Sequence, residues 1–74
     1  MQVKVKLFAY FRDNRFREEN RDIAPCTRVV DIVDDLGIDR EEVGVLMINS
    51  RQCTFETELQ EGDALAIFPV VGGG

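Results

Sequence analysis

The residues of this chain whose types and spacing could do chemistry are few, and the foremost are glycines. Gly72-Gly73-Gly74 follow Phe68-Pro69-Val70-Val71 and lead to a C-terminal carboxyl group. Glycine has more backbone freedom than any other residue, so residues 70–74 are expected to form a flexible tail behind a folded domain over residues 1–69. A tail without bulky side chains suits a carboxylate that another protein must thread into a narrow slot and react. The six residues beyond Phe68, extended at about 3.3–3.6 Å each, span roughly 20 Å. That reaches a buried active site in a partner while the folded body docks outside. A glycine-rich end is also the ordinary composition of a frayed terminus, so the remaining residues must decide between the two.

The side chains offer little other chemistry. There is no histidine, and Cys26 and Cys53 lie far apart without a Cys-x-x-Cys spacing. Zinc sites, histidine acid–base catalysis and a Cys–His nucleophile pair are thereby excluded. Both cysteines are expected to be reduced packing residues, with a disulfide between them left open. Asp34-Asp35 and Glu41-Glu42 pair carboxylates in sequence, but neighbours on a helix diverge, so both pairs read as solvated surface. Arg12, Arg15 and Arg17 read as a solvated turn, with a contact site for an acidic partner as the sharper alternative. No catalytic acid or base, no metal and no cofactor is expected.

Seventy-four residues make one small domain with a modest core. Its net charge of −5 argues against a nucleic-acid partner. Residues 1–30 hold seven basic and four acidic side chains, whereas residues 31–74 hold two basic and ten acidic. The half bearing the tail is acidic, so a partner that takes the tail is expected to present a basic surface. No apolar run approaches the roughly 20 residues that span a bilayer, and Met1–Lys6 alternates rather than forming the apolar region of a signal peptide. The expected compartment is the cytoplasm, with no membrane partner.

The elements that must position the tail follow from periodicity. Val3, Val5, Leu7 and Ala9 alternate with Lys4, Lys6, Phe8 and Tyr10, a half-buried strand. A loop and a short strand at about residues 19–24 close a hairpin. Thr27 is placed to cap a helix over residues 27–36, carrying Val29, Ile32, Val33 and Leu36 on one face and ending at Gly37. Asp39 is placed to cap one further turn. Val45-Leu46-Met47-Ile48 reads as an internal strand, Asn49-Ser50 as its turn and residues 52–55 as its return. Ala64–Phe68 is the last strand, and Pro69 is expected to end its ladder. Two hairpins flanking one main helix predict an α+β domain, a mixed sheet of about five strands with the helix on one face. The first and last strands, joined by a crossover, are expected to be the central parallel pair. That is the β-grasp, the ubiquitin-like roll.

Read in order, the chain resembles the small sulfur-carrier proteins of the MoaD/ThiS family, the molybdopterin synthase small subunit and the thiamine-thiazole carrier. Leu7-Phe8-Ala9 with Phe11-Arg12 resembles the first strand of the molybdopterin-type members. Thr27-Arg28-Val29-Val30-Asp31-Ile32 is similar to the family's helix opening, and Ile48-Asn49 to its Val-Asn-Gly hairpin. Leu59-Gln60-Glu61-Gly62-Asp63 resembles the turn before the last strand, and Ile67–Gly74 the Phe-Pro-Pro-Val-x-Gly-Gly ending. Ser50 stands where glycine is usual, and Val70 replaces the common second proline, which is expected to loosen the tail.

The resemblance implies that an adenylyltransferase of the ubiquitin-E1 type activates Gly74 and that the acyl-adenylate becomes a thiocarboxylate. Gly72 and Gly73 would thread the tail, and an acceptor enzyme, a molybdopterin synthase large subunit or a thiazole synthase, would take the sulfur. The chain itself would be a carrier and substrate. Alternation places Phe8 and Phe68 on the sheet face opposite the helix, so the expected docking residues are Phe8, Leu59, Phe68, Pro69 and Val71. A protein modifier joined through Gly74, and an interaction module with an incidental tail, remain as alternatives.

Overall fold

The alternation of Val3, Val5 and Leu7 with Gln2, Lys4 and Lys6 builds β1, Gln2–Leu7, whose apolar side chains are all buried. The computed structural model describes residues 1–70. After β1 come β2 (Glu18–Asp22), helix α1 (Val29–Asp35), β3 (Val43–Ile48), β4 (Arg51–Gln52) and β5 (Ala64–Pro69). Short 3₁₀ turns lie at Ala9–Arg12 and Arg40–Glu42. The strands form one sheet in the order β2-β1-β5-β3-β4. β1 and β5 are parallel at its centre, and the other pairings are antiparallel. This is the β-grasp arrangement that the strand pattern predicts.

The core lies between one sheet face and α1. Val5 and Leu7 of β1, Leu65 and Ile67 of β5, and Leu46 of β3 meet Val29, Ile32 and Val33 of the helix. Phe11, Ile38 and Leu59, all from connecting segments, close its margins with exposures of 4% or less. Phe11 gets there because β1 stops at Leu7, two residues short of the expected alternation. Ala9 then takes a left-handed φ of 52° and starts the turn that folds Phe11 inward.

The helix begins later than expected. Its N-cap is Arg28, not Thr27, whose hydroxyl donates instead to the Ala24 carbonyl at 2.6 Å. The first helical donors are taken elsewhere. Arg28 N–H donates to Asp31 Oδ2, while Val29 and Val30 N–H donate to the carbonyls of Thr57 and Phe55. The C-terminus behaves as read from Gly37, which takes a φ of 72°. Gly37 N–H donates to the Asp34 carbonyl and Ile38 N–H to that of Val33, the pair of bonds that defines a Schellman cap.

Arg15 finishes that end. Its guanidinium donates to the carbonyls of Leu36 and Phe11, placing positive charge at the negative end of the helix. The arginine-rich turn is therefore divided in its duties rather than simply solvated. Cys26 is exposed rather than packed, Cys53 is half-buried against the core, and both thiols are free. Burial, and secondarily the Asp63 carboxylate, push the Cys53 pKa upward. No described helix is long and apolar enough to cross a membrane. Among the described residues no cluster of three metal-ligating side chains occurs.

Candidate functional site

Among the described residues no element covers the face of the sheet opposite α1. Strand register places Lys6 beside Ala66, Ala66 beside Met47, and Phe68 beside Val45, with Phe8 following β1. Phe8 and Phe68 are brought together, their rings stacked with centroids 4.1 Å apart and planes 12° from parallel. Such a pair contributes about 0.5–1.5 kcal/mol beyond its buried area. The two rings, with Ala66 and Met47, line a shallow groove that runs to the Asn49-Ser50 turn. Val45, 41% exposed, extends the apolar stripe toward the sheet edge.

Charge surrounds this stripe on one side. The Arg12 guanidinium carbon lies 5.3 Å from the Phe8 ring centre, and its Nε donates to the Leu7 carbonyl at 2.7 Å. It is fixed there by a cation–π contact and a hydrogen bond. Lys6, Arg17 and Glu18 line the adjoining depression with Phe8 and Arg12. Beside the aromatic pair, Lys6, Arg12 and Arg17 therefore outnumber Glu18, although the half of the chain that bears the tail is acidic. Three acidic side chains of residues 31–74, Asp35, Asp34 and Glu56, pair instead with Arg21, Arg40 and Arg28 on the helix side. Charge summed along a chain is not charge summed over a face.

Two expected docking residues are not on the surface. Leu59 is 1% exposed, inside the core. The segment that carries it lies across the helix start rather than in solvent. Leu59 N–H donates to the Thr27 carbonyl at 2.8 Å, and Glu58 bridges to Arg28. Pro69 is buried too, because β5 extends through it opposite Val43. The ladder does not stop there, since Val70 N–H donates to the Glu42 carbonyl at 2.9 Å. Val70 thus gains an anchor that a second proline would lack, while the tail beyond it, which the replacement was expected to loosen, lies outside the described residues. Val71, Gly72, Gly73 and Gly74 lie outside the described residues.

Val45, Met47 and Ala66 are members of the open face that sequence reasoning did not single out. An unbroken apolar run such as Val45–Ile48 hides its alternation, because both faces read as core. Only Leu46 of the run is fully buried.

The start of β5 is held by a polar network at the other end of the groove. Asn49 Nδ2 donates to Asp63 Oδ1, Asn49 Oδ1 accepts from Ala64 N–H, and Gln60 N–H donates to Asp63 Oδ2. Asn49 and Ser50 both take left-handed φ values, 50° and 70°. This is the geometry of a type I′ hairpin, which Ser50 adopts without glycine's freedom.

The whole architecture is shared with solved structures. A protein of Pyrococcus furiosus described as a molybdopterin converting factor, subunit 1, superposes with a TM-score of 0.79 at 28% identity, covering 96% of this chain and 99% of that one. Small archaeal modifier protein 1 of Haloferax volcanii gives 0.75 at 22%, covering 95% and 98%. The Helicobacter pylori complex of subunits 1 and 2 of molybdopterin-converting factor gives 0.67 at 19%, covering 100% of both chains. The last two likenesses are of fold alone. No curated protein sequence matches the chain. The family comparison is decisive, because residues 5–74 match the ThiS family. The chain belongs to the ThiS family, with the ubiquitin-like fold of the small sulfur carriers.

Proposed function

We propose that this protein is a sulfur carrier whose working group is the carboxyl of Gly74. At neutral pH an α-carboxyl, with a pKa near 3.3–3.7, is an anion and a poor electrophile. An E1-like adenylyltransferase would join it to the α-phosphate of ATP with release of pyrophosphate. A persulfide donor would then displace AMP, and a thiol would cleave the resulting acyl disulfide to leave a thiocarboxylate. The chain contributes no acid, base or cofactor to these steps. It is the substrate of one enzyme and the sulfur donor of the next.

The observation that carries this reading is the stacked Phe8–Phe68 pair on a face that no described element covers, with Phe68 on the strand that leads to Gly72-Gly73-Gly74. The folded domain would dock through that face while the segment beyond Val70 reaches the partner's active site. The basic groups beside the pair suit carboxylates on the docking surfaces of the adenylyltransferase and of the acceptor enzyme. A molybdopterin-type acceptor is favoured by Phe8, Phe68 and Pro69, with a thiamine-type thiazole synthase as the alternative. A protein-modifier reading draws on the fold shared with the archaeal modifier.

Intact-mass spectrometry after incubation with an adenylyltransferase, ATP and a persulfide donor tests the reading. One oxygen replaced by sulfur at Gly74 is expected. An isopeptide to a lysine would instead establish the modifier, and an unchanged mass with active partners would exclude both.

A further inference from the structure

The C-terminal segment leaves β5 beside an irregularity in the neighbouring strand. β3 and β5 pair continuously from Ile48 opposite Leu65 to Val45 opposite Phe68, after which the register shifts and Val43 lies opposite Pro69. Gly44 is the extra residue of that bulge. A Cβ placed on it would stand 2.7 Å from the Pro69 carbonyl oxygen, 3.0 Å from the Pro69 carbonyl carbon and 3.0 Å from Val70 Cα. All three are backbone atoms, so none can rotate aside.

The other described glycines differ. Gly37 and Gly62 have φ values of 72° and 83°, and an added Cβ would meet nothing within 4 Å. They are glycines for torsion. Gly44 has no left-handed φ and is a glycine for space.

What that space admits is the root of the tail. Pro69 has no N–H to donate, so the last described rung is Val70 N–H on the Glu42 carbonyl. The Val70 side chain is 49% exposed and anchors little. The direction of the chain at Val70 therefore depends on one hydrogen bond and on the close fit of Pro69–Val70 over Gly44.

We propose that Gly44 is a positioning residue for the C-terminal carboxyl, fixing through Pro69 and Val70 the direction in which the segment toward Gly74 leaves the domain. This rests on the carrier reading of Gly74. A partner that docks on the Phe8–Phe68 face then meets the root of that segment in a set orientation, which favours productive delivery of the carboxyl. A Cβ at position 44 pushes the Pro69 carbonyl away by at least a few tenths of an ångström and breaks the Val70 rung. The docking face, made by other residues, stays intact.

The test compares Gly44→Ala and Gly44→Val with wild type and with Gly37→Ala, which strains the helix cap without touching the root. Amide hydrogen exchange at Val70, read against Leu65, should accelerate about tenfold or more in both Gly44 variants and not in Gly37→Ala. ATP–pyrophosphate exchange with the adenylyltransferase should lose about tenfold in kcat, with KM changed much less. Gly44→Ala, the smaller change, decides if Gly44→Val does not fold. Val70 protection unchanged in the Gly44 variants overturns the positioning role, as does a released Val70 with kcat intact. A wild-type protein that is never adenylated overturns the carrier reading instead, while the exchange data still decide whether Gly44 holds the root.

Discussion

The two faces of the sheet come from the same strands and differ in what they meet. On one face Val5, Leu7, Leu65 and Ile67 are completely buried against α1 and its flanking loops. On the other, Phe8 and Phe68 are only half-buried, stacked on each other, and Val45 is open. A face needed only for solubility would carry polar side chains at these alternate positions. The covered face is the part that folding requires, and the open face holds apolar surface that folding leaves unused. Stability and binding should therefore respond to different substitutions.

The largest effect should come from the covered side. Leu59→Ala removes a fully buried side chain from a 74-residue core, and such truncations cost about 2–5 kcal/mol. A small domain has little more than that to lose, so thermal denaturation should show the variant largely unfolded or strongly destabilised at room temperature. A mild change in melting temperature would mean that the segment before β5 is a detachable flap, and Leu59 would return as a surface candidate.

A smaller and differently directed effect is expected at the open face. Phe8→Ala and Phe68→Ala should leave a cooperative fold. Each should weaken binding to the adenylyltransferase about ten- to a hundredfold, the equivalent of burying one aromatic side chain at about 1.5–3 kcal/mol. Because the rings stack at 4.1 Å, the two substitutions should not be additive in stability. A double-mutant cycle should return a coupling of about 0.5–1.5 kcal/mol. Unchanged affinity in the folded double variant, measured by calorimetry, would mean that docking uses another surface.

The contrast between the faces also explains what was legible in the sequence. The covered face could be read because period-two and helical spacing agree there: Val3, Val5 and Leu7 against Val29, Ile32 and Val33. The parallel central pair and the Gly37 cap followed from the same logic. Phe8 and Phe68 were readable as outward-facing because their neighbours Leu7 and Ile67 face in. Leu59 was not, since no periodicity exists in a loop and its burial comes from a hydrogen bond to Thr27, 32 residues earlier in the chain. Gly44 was silent for the same reason, because its contact with Pro69 is tertiary. The basic rim beside Phe8 was hidden by a charge count that followed the chain rather than the fold.

The smallest expected effect separates the charges of the two sides. On the helix side Asp34 receives Arg40 Nε and Nη2 at 3.1 and 2.7 Å. Those hydrogen bonds hold its carboxyl below the ordinary value of 3.8. A carboxyl with a lowered folded-state pKa adds stability above its unfolded value, and that stability is lost as the pH falls through the folded one. Arg40→Gln should therefore lower the melting temperature slightly at neutral pH, and the two curves should converge as the pH drops below 3.8. Both groups are exposed, so the neutral-pH difference should be close to the limit of detection. The sharper readout is the Asp34 carboxyl followed by NMR, which should titrate below 3.8 in the wild type and return toward it in Arg40→Gln. Lys6 and Arg17 on the open side make no ion pair among the described residues, so Lys6→Gln should leave the acid limb of stability unchanged. Its effect should appear instead in the salt dependence of partner association. An acid-limb change in Lys6→Gln as large as that in Arg40→Gln would mean that both sides use their charges for folding, and the basic rim would lose its claim to be reserved for a partner.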